Sequence, residues 1–277
     1  MKLAVLSDIH ANLRALERVL EDIDCWKPDA VVVAGDVVNR GPQPLACLQL
    51  ILERQARDGW HLVRGNHEDY VIAQSKPDSP RSGPLGEIFR SSLWTYRQLN
   101  CDVQALEAMP FQQSLPTPNG HEVRITHAST RGNRDGIYPT TDDISLRKQI
   151  GRPVVPLFVV GHTHWPLVRQ VDETLVVNVG AAGLPFDGDQ RVSYGQMTWH
   201  MNGWQARIVR LEYNLQLAER DFFDTGFLED GGPLARLMRI ELLEARSQLY
   251  QWAVAYQDAV MAGELTLAES VERVLAQ

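Results

Sequence analysis

The chain has 277 residues, 44% of them apolar and 22% charged, with a formal net charge of -8. That composition describes a globular α/β-sized chain and excludes collagen-like, low-complexity and disordered classes. With no run of Lys or Arg to neutralise many phosphates, extended nucleic acid is an unfavoured partner. No apolar segment approaches the roughly 20 residues that span a bilayer, so no membrane partner is expected.

The elements alternate from the start. Leu3 to Leu6 is a short apolar run read as a strand, and Asn12 to Asp24 carries Leu13, Leu16, Val19, Leu20 and Ile23 at helical spacing. Ala30 to Val33 reads as the second strand, Leu45 to Arg57 as a helix, and His61 to Val63 as a third strand. Strand, helix, strand, helix, strand argues for a parallel core sheet. Residues 75–86 are rich in Pro, Ser and Gly. Leu85 to Leu99 and Val103 to Met109 look helical, so Asp69 to Pro118 is taken as a helical insertion. Strands resume at Glu122 to Thr126 and Pro156 to Val160. Leu167 to Val171 and Leu175 to Val179 follow, then Val192 to His200 and Gln205 to Leu211 about an Asn202-Gly203 hairpin turn. From Pro233 onward the pattern is helical, which suggests a packed cover or an oligomer contact.

The chemistry lies where the strands end. Asp8-Ile9-His10 follows the first, Gly35-Asp36 the second and Gly65-Asn66-His67-Glu68 the third. His127 and Gly161-His162-Thr163-His164 follow the next two. Each motif alone is weak; five in order at strand ends, where open α/β sheets bind ligands, are not. Two carboxylates, one amide and four imidazoles without a thiolate suit Mn, Fe, Zn, Co or Ni, with Mn or Fe favoured. That donor set is too large for one ion and fits two divalent ions sharing a bridging carboxylate. Such a pair would make a locally positive pocket for a small phosphorylated substrate in an acidic chain.

This ordered set resembles the calcineurin-like metallophosphoesterase superfamily over roughly residues 1–212, and within it small prokaryotic phosphoesterases with a helical insertion. Residues 94–99 and 178–183 add to the likeness. The resemblance implies a four-layer αββα sandwich of two mixed β-sheets with a helical cap insertion (about 69–118); the C-terminal helical extension (213–277) lies outside the part that matches. It implies one metal on Asp8, His10, Asp36 and His164, and another on Asp36, Asn66, His127 and His162. Such a pair, roughly 4 Å apart, would ionise a shared water for in-line attack on phosphorus. His67 would assist the leaving group, and Arg40, beside Asn39 on the substrate side, would grip two phosphoryl oxygens. Protein serine/threonine phosphatases and relatives that split diadenosine tetraphosphate carry Asp where this chain has Asn39, so His67 is expected to be a weaker acid–base group here.

The expected function is hydrolysis of small phosphate mono- or diesters. The alternatives are a dinucleoside polyphosphate or nucleotide hydrolase, a protein phosphatase-like enzyme and, less favoured, a non-catalytic metal-binding scaffold. Cys25, Cys47 and Cys101 are odd in number and lack metal-site spacing. Reduced thiols and no signal-peptide pattern at Met1 to Ser7 lead to a cytoplasmic expectation. His61, His121 and His200 are read as structural or surface residues.

Overall fold

The computed structural model describes residues 1–117, 120–201 and 203–276. Asn119 and Asn202, to which the sequence assigns turns, lie outside the described residues, as does Pro118 at the expected end of the insertion. The chain opens with β1 (Lys2–Leu6), α1 (Leu13–Trp26), β2 (Ala30–Val33), α2 (Pro44–Asp58) and β3 (His61–Leu62). A helical stretch follows: α3 (Asn66–Ala73), α4 (Gly83–Ile88), α5 (Arg90–Gln98) and α6 (Gln104–Glu107). Next come β4 (Gln112–Pro116), β5 (Glu122–Thr126), α7 (Asp143–Ile150), β6 (Leu157–Val160), β7 (Leu167–Val171) and β8 (Thr174–Asn178). The hairpin β9 (Val192–His200) and β10 (Gly203–Leu211) completes the strands. The tail is α8 (Leu215–Asp224), α9 (Phe227–Asp230), α10 (Leu234–Glu244), α11 (Gln248–Met261) and α12 (Leu267–Leu275).

Two five-stranded mixed sheets, in orders β10-β9-β1-β2-β3 and β4-β5-β6-β8-β7, stack face to face. Strand alternation builds the four layers. Leu3, Val5 and Val32 of the first sheet meet Val123, Ile125, Leu157, Val159 and Val177 of the second. The opposite faces of the same strands, Ala4, Leu6, Val31 and Val33, pack under Leu16, Val19, Leu20 and Ile23 of α1 and Leu48 and Ile51 of α2. On the far side Phe158, Val160 and Val176 take Leu146 and Ile150 of α7. The expected αββα sandwich is the fold observed. Asn12 accepts from the Ala15 N–H at 3.1 Å to start α1, and Gly59 in the left-handed region ends α2.

Three details differ from expectation. Residues 112–116, assigned to a helical insertion, form β4, paired antiparallel to β5; only Leu115 is buried there, so edge pairing rather than an apolar pattern makes the strand. The helix expected over residues 85–99 breaks at Phe89 into α4 and α5. The C-terminal helices begin at Leu215, capped by Asn214 accepting from the Leu217 N–H, at the expected start of the extension (213–277) but ahead of the helical pattern read from Pro233. They pack on the domain itself: Phe222, Phe227, Leu237, Leu242 and Trp252 share a core with Trp94, Leu184 and Phe186.

Candidate metal centre

Of thirteen non-glycine residues with positive φ among those described, eight lie in the loops after β1, β2 and β6: Asp8, His10, Ala11, Asp36, Asn39, Arg40, His162 and His164. Each such residue costs on the order of 1 kcal/mol, and such outliers persist only where the surroundings dictate them. The surroundings do. The buried Glu68 carboxylate accepts four backbone N–H groups, from Asp36, Val37 and Gly65 at 2.8 Å and Val38 at 3.2 Å, clamping the β2 loop to the start of α3. The Asn178–Gly183 stretch holds the first loop: Ala182 N–H donates to Ser7 and Gly183 N–H to Asp8, at 2.8 and 3.0 Å. Asn178 Nδ2 donates to the Gly161 carbonyl and Thr163 Oγ1, both at 2.8 Å, fixing the last loop. Gly65 and Gly161 are required by close approach. A Cβ would stand 2.1 Å from Asp36 Oδ1 at the first and 2.4 Å from Asp8 Oδ2 at the second.

These restraints bring Asp8, His10, Asp36, Asn66, His127, His162 and His164 to one place. Asp36 Oδ2 lies between two imidazoles, 3.6 Å from His10 Nε2 and 3.3 Å from His127 Nε2. On one side His164 Nε2 is 3.2 Å from both Asp8 Oδ1 and His10 Nε2. On the other, His127 Nε2 is 3.0 Å from Asn66 Oδ1 and 3.2 Å from His162 Nδ1. The outward nitrogens are anchored on carbonyl oxygens: His127 Nδ1 on Ala34 at 2.8 Å, His10 Nδ1 on Asn39 at 3.3 Å, and His164 Nδ1 on Leu184. Phe186 stacks flat on the His164 ring, 4.1 Å between centroids.

That anchoring tests whether a cation fits. A carbonyl only accepts, so the anchored Nδ1 atoms carry protons and the inward Nε2 atoms of neutral rings are bare lone pairs. His10 and His164 then face each other lone pair to lone pair, a repulsive contact that a cation between them makes favourable. Asp8 Oδ1 is fully buried without a hydrogen-bond partner, and Asp8, His10 and His164 offer donor atoms within 4.8 Å of one another. So do Asp8, Asp36 and His127, and His10, Asp36 and His67. The residues fit a metal.

The electrostatics agree. Burial opposes ionisation of Asp36, but His127 holds its carboxyl well below the usual range. Asp8 is likewise lowered against burial by His164. Burial opposes charge on His127 too, yet the Asp36 and Asp8 carboxylates raise it to about 10, while burial and His127 push His162 down to about 4. The two carboxylates thus make the cluster a place that favours positive charge.

His67 and Arg40 border a cavity of about 670 Å³ that opens onto Asp36, Asn66, His162 and His164. Burial, against the pull of Asp36, lowers His67 to about 3, so its ring is neutral. Asn39, expected on the substrate side, is instead consumed locally. Its Nδ2 donates to His67 Nδ1 and Ser92 Oγ at 3.0 Å, and its Oδ1 accepts from Thr95 at 3.4 Å. It therefore positions His67, leaving a proton on the Nε2 edge. Arg40 retains less of its fork than expected: Nη2 donates to the buried Glu241 carboxylate at 2.5 Å, while Nε has no hydrogen-bond partner. A wider depression of about 960 Å³ around Asp189, Arg191, Glu212 and Arg246 contains none of the cluster.

Sequence reasoning missed Glu241, Phe186, Arg246 and Tyr250. The cap was expected from the insertion, but the cavity wall facing the cluster carries Arg246, Ser247, Tyr250 and Gln251 at the start of α11. Ile88 and Phe89 of the insertion line a second cavity, of about 360 Å³, on the other side of Arg40 and His67.

A family model described as calcineurin-like phosphoesterase matches residues 1–166, and the chain belongs to this family of metal-dependent hydrolases. An uncharacterised protein of Methanocaldococcus jannaschii is 28% identical over 234 residues, 78% of this chain and 89% of that protein. Phosphodiesterase YfcE of Escherichia coli is 26% identical over 204 residues, 71% of this chain and 87% of its own. A metallophosphoesterase from Sphaerobacter thermophilus superposes with a TM-score of 0.69 at 26% identity, covering 88% of this chain and 99% of its own. A symmetrical bis(5'-nucleosyl)-tetraphosphatase of Chromobacterium violaceum shares 33% identity over 78 residues, 27% of each chain. No helix among the described residues is long and apolar enough to cross a membrane.

Proposed function

We propose that this chain hydrolyses small phosphate mono- or diesters at the Asp36 cluster. Asp8, His10, Asp36 and His164 would hold one divalent ion and Asp36, Asn66, His127 and His162 a second, with Asp36 shared. Bound there, such ions supply Lewis acidity and acidify a shared water for in-line attack on phosphorus. The protein does the rest. Anchored Nδ1 protons keep the imidazole lone pairs inward, and Glu68 fixes the Asp36 loop against α3. His67 is held with an N–H toward the cavity and donates a hydrogen bond to the leaving oxygen. Arg40, tethered by Glu241, presents the remaining edge of its guanidinium to a phosphoryl oxygen.

The observation that carries the reading is Asp36 Oδ2 standing within 3.6 Å of both His10 and His127, where a bridging carboxylate belongs. The test is turnover of bis(p-nitrophenyl) phosphate and p-nitrophenyl phosphate by the purified protein with Mn2+. Asp36→Ala abolishes turnover and metal uptake, whereas His67→Ala lowers turnover but still takes up metal. Absence of turnover with every divalent metal tried rejects the proposal. Likeness to the tetraphosphatase keeps nucleotide hydrolysis as the second reading, and its short matched segment makes it second.

A further inference from the structure

Five aromatic side chains are exposed among the described residues: Phe111, Tyr138, Trp165, Phe223 and Tyr250. Three of them, Tyr138, Trp165 and Tyr250, line the cavity that opens onto Asp36, Asn66, His162 and His164. They come from unrelated places: the loop after β5, the residue following His164, and the first turn of α11. Their exposures are 48%, 43% and 70%, so none serves the core. Keeping three large apolar faces wet on one rim forgoes the roughly 25 cal/mol per Å² that burial would contribute, and the fold gains nothing structural from gathering them there. Tyr138 and Tyr250 line the same cavity from distant parts of the sequence. Arg246 stands on the same rim with Gln251.

We infer that this rim is a binding subsite for a planar aromatic group carried by the substrate, an aryl ring or a nucleobase, stacked between Trp165 and the Tyr138–Tyr250 pair. The inference rests on the proposed phosphoesterase reading and narrows its substrate class to phosphate esters bearing such a ring. The cavity, about 670 Å³, falls within the range of small-ligand sites. Stacking faces accept any planar ring, so the subsite selects for planarity rather than for a hydrogen-bond pattern. Three of its residues, Arg246, Tyr250 and Gln251, lie beyond the segment matched by the family model, which ends at residue 166. The C-terminal helices are in this account part of the substrate site and not only a cover.

The test is a binding measurement that needs no turnover. Phenylphosphonate and methylphosphonate are titrated calorimetrically into the Mn2+-loaded protein. Wild type binds the phenyl compound at least about tenfold more tightly, roughly 1.4 kcal/mol. Trp165→Ala and Tyr250→Ala each cut that ratio to about threefold or less, and Tyr250→Phe, which keeps the ring, retains it. These side chains are exposed, so the variants fold. The phosphonate analogue of adenosine 5'-monophosphate, with a methylene in place of the ester oxygen, assigns the ring in the same titration: tighter binding than phenylphosphonate points to a nucleobase, weaker binding to a small aryl group. Equal affinity for the two phosphonates, or a ratio unchanged in both alanine variants, overturns the inference. The phosphoesterase proposal then stands or falls separately on hydrolysis of bis(p-nitrophenyl) phosphate.

Discussion

Replacing Gly65 by alanine asks how much of the centre depends on one close approach. Gly65 has φ -95 and ψ 179, a conformation alanine adopts freely, so backbone strain contributes nothing. The added Cβ, however, falls 2.1 Å from Asp36 Oδ1 and 2.6 Å from the Asp36 nitrogen, where ordinary contact begins at 3.4 Å. The carboxylate must therefore retreat by about 1.3 Å, the difference between 3.4 and 2.1 Å. Overpacking of this kind costs about 1–3 kcal/mol, which in a chain of this size lowers the melting temperature by roughly 2–5 °C. The functional effect is larger, because a displacement of about 1 Å at a reacting centre costs on the order of a hundredfold in rate. Scanning calorimetry with Mn2+-dependent phosphodiester turnover reads both. Gly59→Ala is the control: nothing lies within 4 Å, but φ is +70, so it loses about 1 kcal/mol and leaves turnover unchanged. A Gly65→Ala protein that turns over like wild type refutes the claim that Asp36 is held in place by this contact.

Other perturbations have definite outcomes. Glu241→Gln leaves the buried Arg40 guanidinium without its counter-charge and costs roughly 3 kcal/mol in urea unfolding; a loss below 0.5 kcal/mol would mean the pair is not formed in solution. Asn178→Ala removes the donor to Gly161 and Thr163 and the acceptor for the Gly180 N–H, destabilising the fold by at least about 2 kcal/mol and weakening Mn2+ binding. Arg131, Ser129 and Gln149 hold the Asp135 carboxyl down at about 2. A depressed folded value means its stabilisation is present above the ordinary value of 3.8 and is lost as pH falls through about 2. Asp135→Asn accordingly flattens the acid limb of the stability curve, and an unchanged limb would argue against that pair. Chelation lowers the melting temperature, since ligand at a hundred times its dissociation constant contributes about 2.7 kcal/mol per site; a melting curve indifferent to chelator would contradict metal binding.

What the sequence made legible follows from physics local to each strand. Apolar runs named the strands, and Asp, Asn and His at their ends named the cluster, because a parallel sheet carries those ends to one edge. The second-sheet strand at 112–116 was hidden because its pairing uses backbone, while Gln112, Gln113 and Ser114 carry no alternation. The Arg40–Glu241 pair spans 201 positions and leaves no periodic trace. Asn39 was legible as a departure from Asp, but not as a donor to His67, since that depends on Ser92 and Thr95 of the insertion closing around its amide. The aromatic rim escaped for a related reason. Tyr138, Trp165 and Tyr250 are ordinary residues singly and acquire meaning only when three distant segments set them on one cavity.

Calorimetric titration of the chelator-treated protein with Mn2+ tests the central assignment most directly. Two ions per chain in the wild type, with uptake collapsing in Asp36→Ala, is the result this account requires. A wild type that takes up none, or an Asp36→Ala variant that titrates as the wild type does, would contradict it.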